Sequence, residues 1–221
     1  MNEDATMGHG DESHSTAPPS TARAQAQTLR VFCAVELPQE VRAHVAAHIE
    51  QLRDAAPDVR ASWEREEKLH ITLKFLGEIA PERVEALSEA AARAVEESEP
   101  FILAIEGAGA FPPRGNPRTL WLGIRDSANA LAHLHQRLEE ECARAGFRRE
   151  ERPFHPHLTL ARIRAPQGAR ELARLHQETD FETAEFAVAN LVVLRSELGP
   201  RGSRYTEVSR HEFGGARPPR S

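Results

Sequence analysis

The chain has 221 residues, enough for one large domain or two small lobes, and its 40% hydrophobic and 28% charged content is typical of a soluble globular protein. No apolar run approaches the roughly 20 residues that span a bilayer, and the N-terminus lacks the basic and then apolar pattern of a secretory signal. A net charge of −6 argues against a broad phosphate-binding surface and leaves room only for a small local cluster of arginines. Cys33 and Cys142 lie in separate apolar runs without CxxC spacing, which favours a reduced, cytoplasmic protein. Because no apolar run is long enough to span a bilayer, we expect no membrane partner.

The N-terminal segment differs in composition from the rest of the chain. Residues 1–27 are rich in Ser, Thr, Gly, Ala, Pro and acidic residues and show no apolar periodicity, so we expect a disordered extension. A buried strand is predicted at residues 29–37 and is ended by Pro38. An amphipathic helix is predicted at residues 39–53, because apolar residues recur there at every third or fourth position.

Strand-like and helix-like segments continue to alternate to the end of the chain. Further strands are predicted at residues 61–64, 68–77, 101–109, 118–125, 154–162, 181–188, 190–195 and 204–211, and further helices at about 81–97, 127–145 and 167–177. The presence of hairpin-like turns favours an α+β fold with antiparallel sheets over a doubly wound fold. The folded domain is expected at residues 28–213 and a disordered tail at residues 214–221.

One short motif occurs twice. His70-Ile71-Thr72-Leu73 is repeated 87 positions later as His157-Leu158-Thr159-Leu160, and both copies lie within apolar, strand-like runs. In an extended strand His and Thr share one face, and the apolar residues point the other way. Each half of the chain contains one motif strand and two helices. We therefore expect a bilobal molecule in which two antiparallel sheets, each backed by helices, place pseudo-twofold related motif strands across a central cleft.

Two histidine–threonine pairs are suited to metal-free chemistry on a phosphodiester. The unperturbed pKa of imidazole, about 6.5, lets one ring act as the base and the other as the acid. The two threonine hydroxyls would donate hydrogen bonds to the non-bridging oxygens, where negative charge accumulates. Against this, a single histidine on a half-exposed strand is more often structural than catalytic, and threonine is common in strands in its own right.

A metal site is the alternative use of these histidines. His155 shares a face with His157, so both could join His70 as ligands. Pro156 between them, and the lack of a matched carboxylate or cysteine, argue against this arrangement, and we expect neither a metal nor a cofactor.

Two basic residues follow the motifs. Lys74 shares the face of His70 if the strand stays regular and could then reach a phosphate, although a solvated strand end is an equal alternative. Arg162 is five residues beyond His157, so regular alternation sends it to the opposite face unless the strand bulges or ends.

Several segments, in order, resemble the two-histidine (2H) phosphoesterase superfamily, and specifically the bacterial RNA 2′,3′-cyclic phosphodiesterases, historically called 2′-5′ RNA ligases. The resemblance covers about residues 28–213. The matching segments are Arg30-Val31-Phe32, Leu37-Pro38, residues 70–77 (similar to HxTLxFLG), residues 155–162 (similar to HPHxTLAR), and Arg195-Ser196-Glu197-Leu198 with the later Gly202 and Tyr205.

The resemblance implies a bilobal α+β fold and metal-independent hydrolysis of RNA 2′,3′-cyclic phosphate ends to 2′-phosphates. It implies that His70 donates a proton to the leaving 3′-oxygen, that His157 accepts one from water, and that Thr72 and Thr159 bind the phosphate. Weaker candidates for phosphate or nucleoside contact are Arg162, Arg195, Arg204 and Tyr205. The partners would be RNA ends or small nucleotide cyclic phosphates, bound by a monomer.

Two other functions remain open at this point. The same site could ligate or cleave 2′-5′ linkages, or act on a small cyclic nucleotide. Alternatively, the protein could be a nucleotide-binding module without turnover, although the presence of both His and Thr in each motif argues against that.

Overall fold

The computed structural model describes residues 28–199 and 202–214. The predicted N-terminal extension, and the predicted C-terminal tail apart from Gly214, lie outside the described residues. Along the described chain, no helix is both long enough and apolar enough to cross a membrane.

Nine strands and four α-helices alternate along these residues. The strands are β1 (Leu29–Glu36), β2 (Ala61–Trp63), β3 (His70–Ile79), β4 (Phe101–Phe111), β5 (Thr119–Arg125), β6 (His157–Ile163), β7 (Ala184–Val188), β8 (Asn190–Gly199) and β9 (Gly202–Glu212), and the helices are α1 (Gln39–Ala55), α2 (Val84–Val95), α3 (Ala130–Arg144) and α4 (Ala169–Glu178). Each predicted strand and helix is present, with shifts of a few residues at the ends. The helix predicted from residue 127 begins at Ala130, because the Asp126 carboxylate accepts hydrogen bonds from the backbone N–H groups of Ala130 and Ala132.

The strands form one antiparallel sheet in the order β7-β4-β5-β6-β3-β1-β8-β9, and β2 pairs with β6 on the edge that also meets β3. The predicted α+β class is therefore confirmed. The two predicted sheets are the four-stranded halves β7-β4-β5-β6 and β3-β1-β8-β9. Among the described residues they are joined by a single pair, Ile71 with Leu158, so the sheet is continuous but can bend sharply at its centre.

The helices cover one face of this sheet. Apolar residues of all four helices join a single core cluster with Ile71 and Leu158. Full burial of each such side chain contributes about 1.5–3 kcal/mol, which fixes which face of β3 and β6 points inward. His70, Thr72, His157 and Thr159 therefore lie on the face that the helices leave open. Both cysteines are buried and free, and burial raises the pKa of each thiol.

Candidate active site

The two motifs meet at the junction of β3 and β6. Because Ile71 faces Leu158 in antiparallel register, His70 comes level with Thr159, and Thr72 with His157. All four of these polar side chains line one cavity of about 830 Å³. The convergence expected from the repeated motif is therefore present, whereas the chemical role of these residues stays a prediction.

β3 bulges directly after its motif. Its pairing with β1 shifts by one residue between Thr72 and Lys74, which leaves Leu73 as the extra residue. Leu73 and Lys74 are consequently both buried, and Phe75 moves onto the cleft face, where it lines the cavity.

β6 bulges at the matching position. Its pairing with β5 shifts between Thr159 and Ala161 and leaves Leu160 as the extra residue. Leu160 and Ala161 are both buried, and Arg162 turns into the cavity. The bulge that Arg162 needed in order to reach the cleft is thus present, and Arg162 and Phe75 occupy equivalent positions in the two halves.

The position of the Lys74 side chain differs from the one predicted from the sequence. Its Nζ lies 2.6 Å from Oε1 of Glu139 and donates to the carbonyl of Arg148 at 2.9 Å, on the helix side of the sheet. The expectation that Lys74 shares the face of His70 is wrong, because the bulge reverses the alternation one residue earlier. Lys74 instead ties β3 to α3 and to the segment that leads into β6.

Arg195 and Arg204 do not line the cavity either, although both were candidates for substrate contact. Their neighbours Ser196, Ser203 and Tyr205 line the cavity, and strand alternation turns the two arginines to the opposite face. Arg195 pairs there with Glu197 at 2.8 Å. Tyr205 is at the cavity as expected, and its ring centroid lies 5.3 Å from that of His70 in an edge-on arrangement.

Both imidazoles are held by the backbone in the same way. Nδ1 of His70 donates to the carbonyl of Lys68 at 2.6 Å, and Nδ1 of His157 donates to the carbonyl of His155 at 2.7 Å. A carbonyl oxygen only accepts, so Nδ1 carries the proton and Nε2 of each ring is left to exchange one. The hydroxyl of Thr72 lies 3.0 Å from Nε2 of His70, which is the contact expected of a neutral ring.

The cavity is positively charged although the whole chain is acidic. Its charged lining comprises Arg30, Arg65, Lys68, Arg162 and Arg164 against the single carboxylate Glu64. Burial raises the pKa of Glu64, and the neighbouring cations oppose that rise. Burial also lowers the pKa of His70; the hydrogen bond to the Lys68 carbonyl opposes this effect and the charge of Arg162 adds to it. Burial thus favours the neutral form of His70, and the surplus of cations in the lining attracts an anion.

Aromatic side chains flank both histidines. Phe75 is 57% exposed at the cavity, with the ring of Phe32 behind it at 5.6 Å. The Phe111 ring lies 5.3 Å from that of His157. Sequence reasoning missed Phe75 as a cleft residue because strict alternation turns it inward. The bulge depends on how β3 pairs with β1, so the sequence of β3 alone carried no signal for it.

A metal centre is not formed by the residues that were considered as ligands. In the described part of the chain, no group of three or more His, Cys, Asp or Glu side chains is arranged to hold a metal ion. His155 contributes its backbone carbonyl to His157, and its own side chain is exposed.

An α+β fold in which two strand-borne histidine–threonine pairs face one basic cleft defines a two-histidine phosphoesterase. Residues 18–200 match the model of the 2′-5′ RNA ligase superfamily, and the chain belongs to that family. The RNA 2′,3′-cyclic phosphodiesterase of Methanothermobacter thermautotrophicus is 33% identical over 181 residues, which cover 81% of this chain and 96% of the relative. The enzyme of the same name from Thermotoga maritima is 31% identical over 187 residues, or 85% and 97% of the two chains. The crystal structure of Escherichia coli LigT complexed with 3′-AMP is similar, with a TM-score of 0.67 and 28% identity over 86% of this chain and all of LigT.

Proposed function

We propose that this protein hydrolyses the 2′,3′-cyclic phosphate at an RNA end to a 2′-phosphate by metal-independent acid–base catalysis. The observation that carries the proposal is the convergence of His70, His157, Thr72 and Thr159 on one basic cavity. The names and near-complete coverage of the relatives support the same activity.

The reaction uses Nε2 of each ring, because Nδ1 of each ring is held by a backbone carbonyl. His157 accepts a proton from water as the water oxygen attacks phosphorus. The bond from phosphorus to the 3′-oxygen breaks on the opposite side, and His70 gives its Nε2 proton to that oxygen. The products are a 2′-phosphate and a 3′-hydroxyl. The hydroxyls of Thr72 and Thr159 donate to the non-bridging oxygens, whose negative charge grows in the transition state.

His70 has to be protonated to serve as the acid. Burial lowers the pKa of His70, and an anionic phosphate beside the ring would stabilise the imidazolium and raise that pKa again. Substrate binding and protonation of His70 are then coupled, so the acid is formed where the phosphate is bound.

The two bulges supply the nucleoside contacts. Phe75 presents an exposed ring for base stacking, and Arg162 presents a planar guanidinium at the equivalent position of the other half. A cavity of about 830 Å³ is within the size range of small-molecule sites. The four motif residues that the proposed reaction uses all belong to one chain, and the proposal is that a monomer carries it out.

The test is a substrate panel assayed with and without EDTA. Adenosine 2′,3′-cyclic phosphate and an oligoribonucleotide with the same end should yield 2′-phosphates at rates that EDTA leaves unchanged. A 2′-5′-linked dinucleotide and adenosine 3′,5′-cyclic phosphate should react more slowly. Preferential cleavage or joining of the 2′-5′ linkage would favour that alternative, and tight adenosine monophosphate binding without any hydrolysis would favour a binding module. Loss of activity in EDTA that Zn²⁺ restores would contradict the metal-free mechanism.

A further inference from the structure

A second cavity, of about 580 Å³, opens beside the first at the C-terminal end of β6. It is formed by the segment that enters β5 and by the end of β6 with the residues that follow; its lining residues are Asn116, Pro117, Arg118, Thr119, Arg162, Ile163, Arg164, Ala165 and Pro166. Thr119, Arg162 and Arg164 also line the first cavity. The two cavities therefore form one groove that leads out of the catalytic cleft.

Backbone hydrogen bonds fix the walls of this second cavity. The N–H of Ile163 donates to the Arg118 carbonyl at 2.9 Å, and the N–H of Arg118 donates to the Phe111 carbonyl at 2.7 Å. On the other wall, Nε of Arg164 donates to the hydroxyl of Ser62 at 2.8 Å. The backbone at Arg118 and the guanidinium of Arg164 are thus held in place by the protein itself.

The charge of the second cavity is entirely positive. Arg118, Arg162 and Arg164 line it, and no acidic residue does. Within residues 28–199 and 202–214, neither Arg118 nor Arg164 forms an ion pair, and Arg162 approaches Glu64 only to 4.0 Å. Elsewhere on the described surface most arginines pair with nearby carboxylates. Three guanidinium groups lining one cavity, of which only Arg162 has a carboxylate within 4.0 Å, favour an anion, and their fork geometry suits phosphate.

The position of the groove indicates which phosphate of an RNA strand the second cavity would bind. In the proposed reaction the cyclic phosphate lies between His70 and His157, and the rest of an RNA strand leaves the cleft from the 5′ side of the terminal nucleotide. We infer that the second cavity binds the phosphodiester immediately 5′ of the cyclic end, with Arg118 as the residue that only a polynucleotide reaches. This inference rests on the proposed function and makes the enzyme selective for RNA ends over cyclic mononucleotides.

The experiment compares adenosine 2′,3′-cyclic phosphate with di- and trinucleotides that end in the same group. In the wild-type protein, kcat/KM should rise by about tenfold or more from the mononucleotide to the dinucleotide, as expected for one charge-assisted phosphate contact. Arg118→Gln should remove most of that gain and leave mononucleotide hydrolysis unchanged. Arg118→Glu should reduce oligonucleotide hydrolysis further, because it places a negative charge against the phosphate.

Salt dependence gives a second readout, which a folding defect would not mimic. The slope of log kcat/KM against log salt for the dinucleotide should become shallower by about 0.7 in Arg118→Gln, as expected for one lost contact to a single strand. The matched control is Arg144→Gln, because Arg144 is exposed on α3, pairs with Glu141 and lines neither cavity. Equal kcat/KM for mono- and dinucleotides, or an unchanged gain in Arg118→Gln, would overturn the inference. Failure of every cyclic phosphate to react would instead overturn the proposed function.

Discussion

Ile71 and Leu158 face each other in antiparallel register at the junction between the two halves of the sheet. Both side chains are fully buried in the core beneath the helices. Each is flanked in sequence by a histidine and a threonine that point to the opposite face. This apolar pair therefore sets the spacing of the two imidazoles, and the proposed reaction needs both copies of the motif.

Replacing either motif threonine should reduce catalysis more than substrate binding. Thr72→Val and Thr159→Val remove a hydroxyl that would donate to a non-bridging oxygen while keeping a β-branched strand residue, so we expect kcat to fall about 10- to 100-fold with a smaller change in KM. Steady-state kinetics on adenosine 2′,3′-cyclic phosphate measure both constants. Thr206→Val, at an exposed position of β9 outside the cavity, is the control. A change in KM alone would contradict a role in the transition state.

The pH dependence should differ between the free enzyme and its complex. If His70 is the acid, activity falls as pH rises through its pKa. Burial lowers that pKa in the protein without substrate, and the bound phosphate anion should raise it. The basic limb of kcat/KM should therefore lie at lower pH than the basic limb of kcat. Initial rates at low and saturating substrate, from about pH 5 to pH 9, test this. Coincident basic limbs would contradict the coupling of protonation to binding.

Lys74 should matter for stability rather than for the chemistry. Its ammonium and the Glu139 carboxylate form a buried ion pair with N and O 2.6 Å apart. Lys74→Met leaves that carboxylate unpaired, so we expect a loss of about 3–5 kcal/mol in the free energy of unfolding, measured by urea denaturation. The double variant Lys74→Met/Glu139→Met should recover most of the loss. A Lys74→Met protein of normal stability but greatly reduced substrate affinity would contradict this assignment.

Stability should fall in mild acid because of a buried histidine pair. Nε2 of His48 lies 3.4 Å from Nδ1 of His176. The other nitrogen of the His176 ring, Nε2, donates to the Trp121 carbonyl at 3.0 Å. Burial, with the charge of His176, lowers the pKa of His48 from 6.5 to about 4. Because its pKa is lower in the folded protein, neutral His48 contributes its full stabilisation above about pH 6.5. That stabilisation is lost as the pH falls towards 4. The loss can reach roughly 3 kcal/mol.

The measurement is the free energy of unfolding in urea at several values between about pH 7 and pH 4.5. The His48→Gln protein, which has no titrating ring at this position, should show a shallower loss than the wild type. His133→Gln, on α3 and exposed, is the control and should follow the wild-type slope. Equal slopes in the wild type and His48→Gln would contradict the assignment.

The elements and the convergence of the motifs could be predicted because they depend on periodicity. Apolar spacing identified the helices, and the alternation of His70 with Ile71 identified the face that lines the cavity. The same rule failed beyond Thr72 and Thr159, because a bulge depends on how neighbouring strands pair and leaves no trace in the periodicity of its own strand. The rule of regular alternation therefore placed Lys74 on the wrong face and missed Phe75.

Arg195 and Arg204 were misplaced for a related reason. Family-like segments indicate which strands border the site, but only the register of β8 with β9 decides which residues of those strands point inward. Likewise, the basic groove joins residues from β5, β6 and the segments beside them, which no local pattern links.

The most direct test of the central claim is hydrolysis of adenosine 2′,3′-cyclic phosphate by His70→Ala, His157→Ala and the double variant, with folding checked by circular dichroism. Each single substitution should reduce kcat by about 10²–10⁴-fold. The fold-reduction in kcat of the double variant should be much smaller than the product of the two single-variant reductions, because the two rings would act in one displacement. Wild-type rates in either single variant, with the protein folded, would contradict the account.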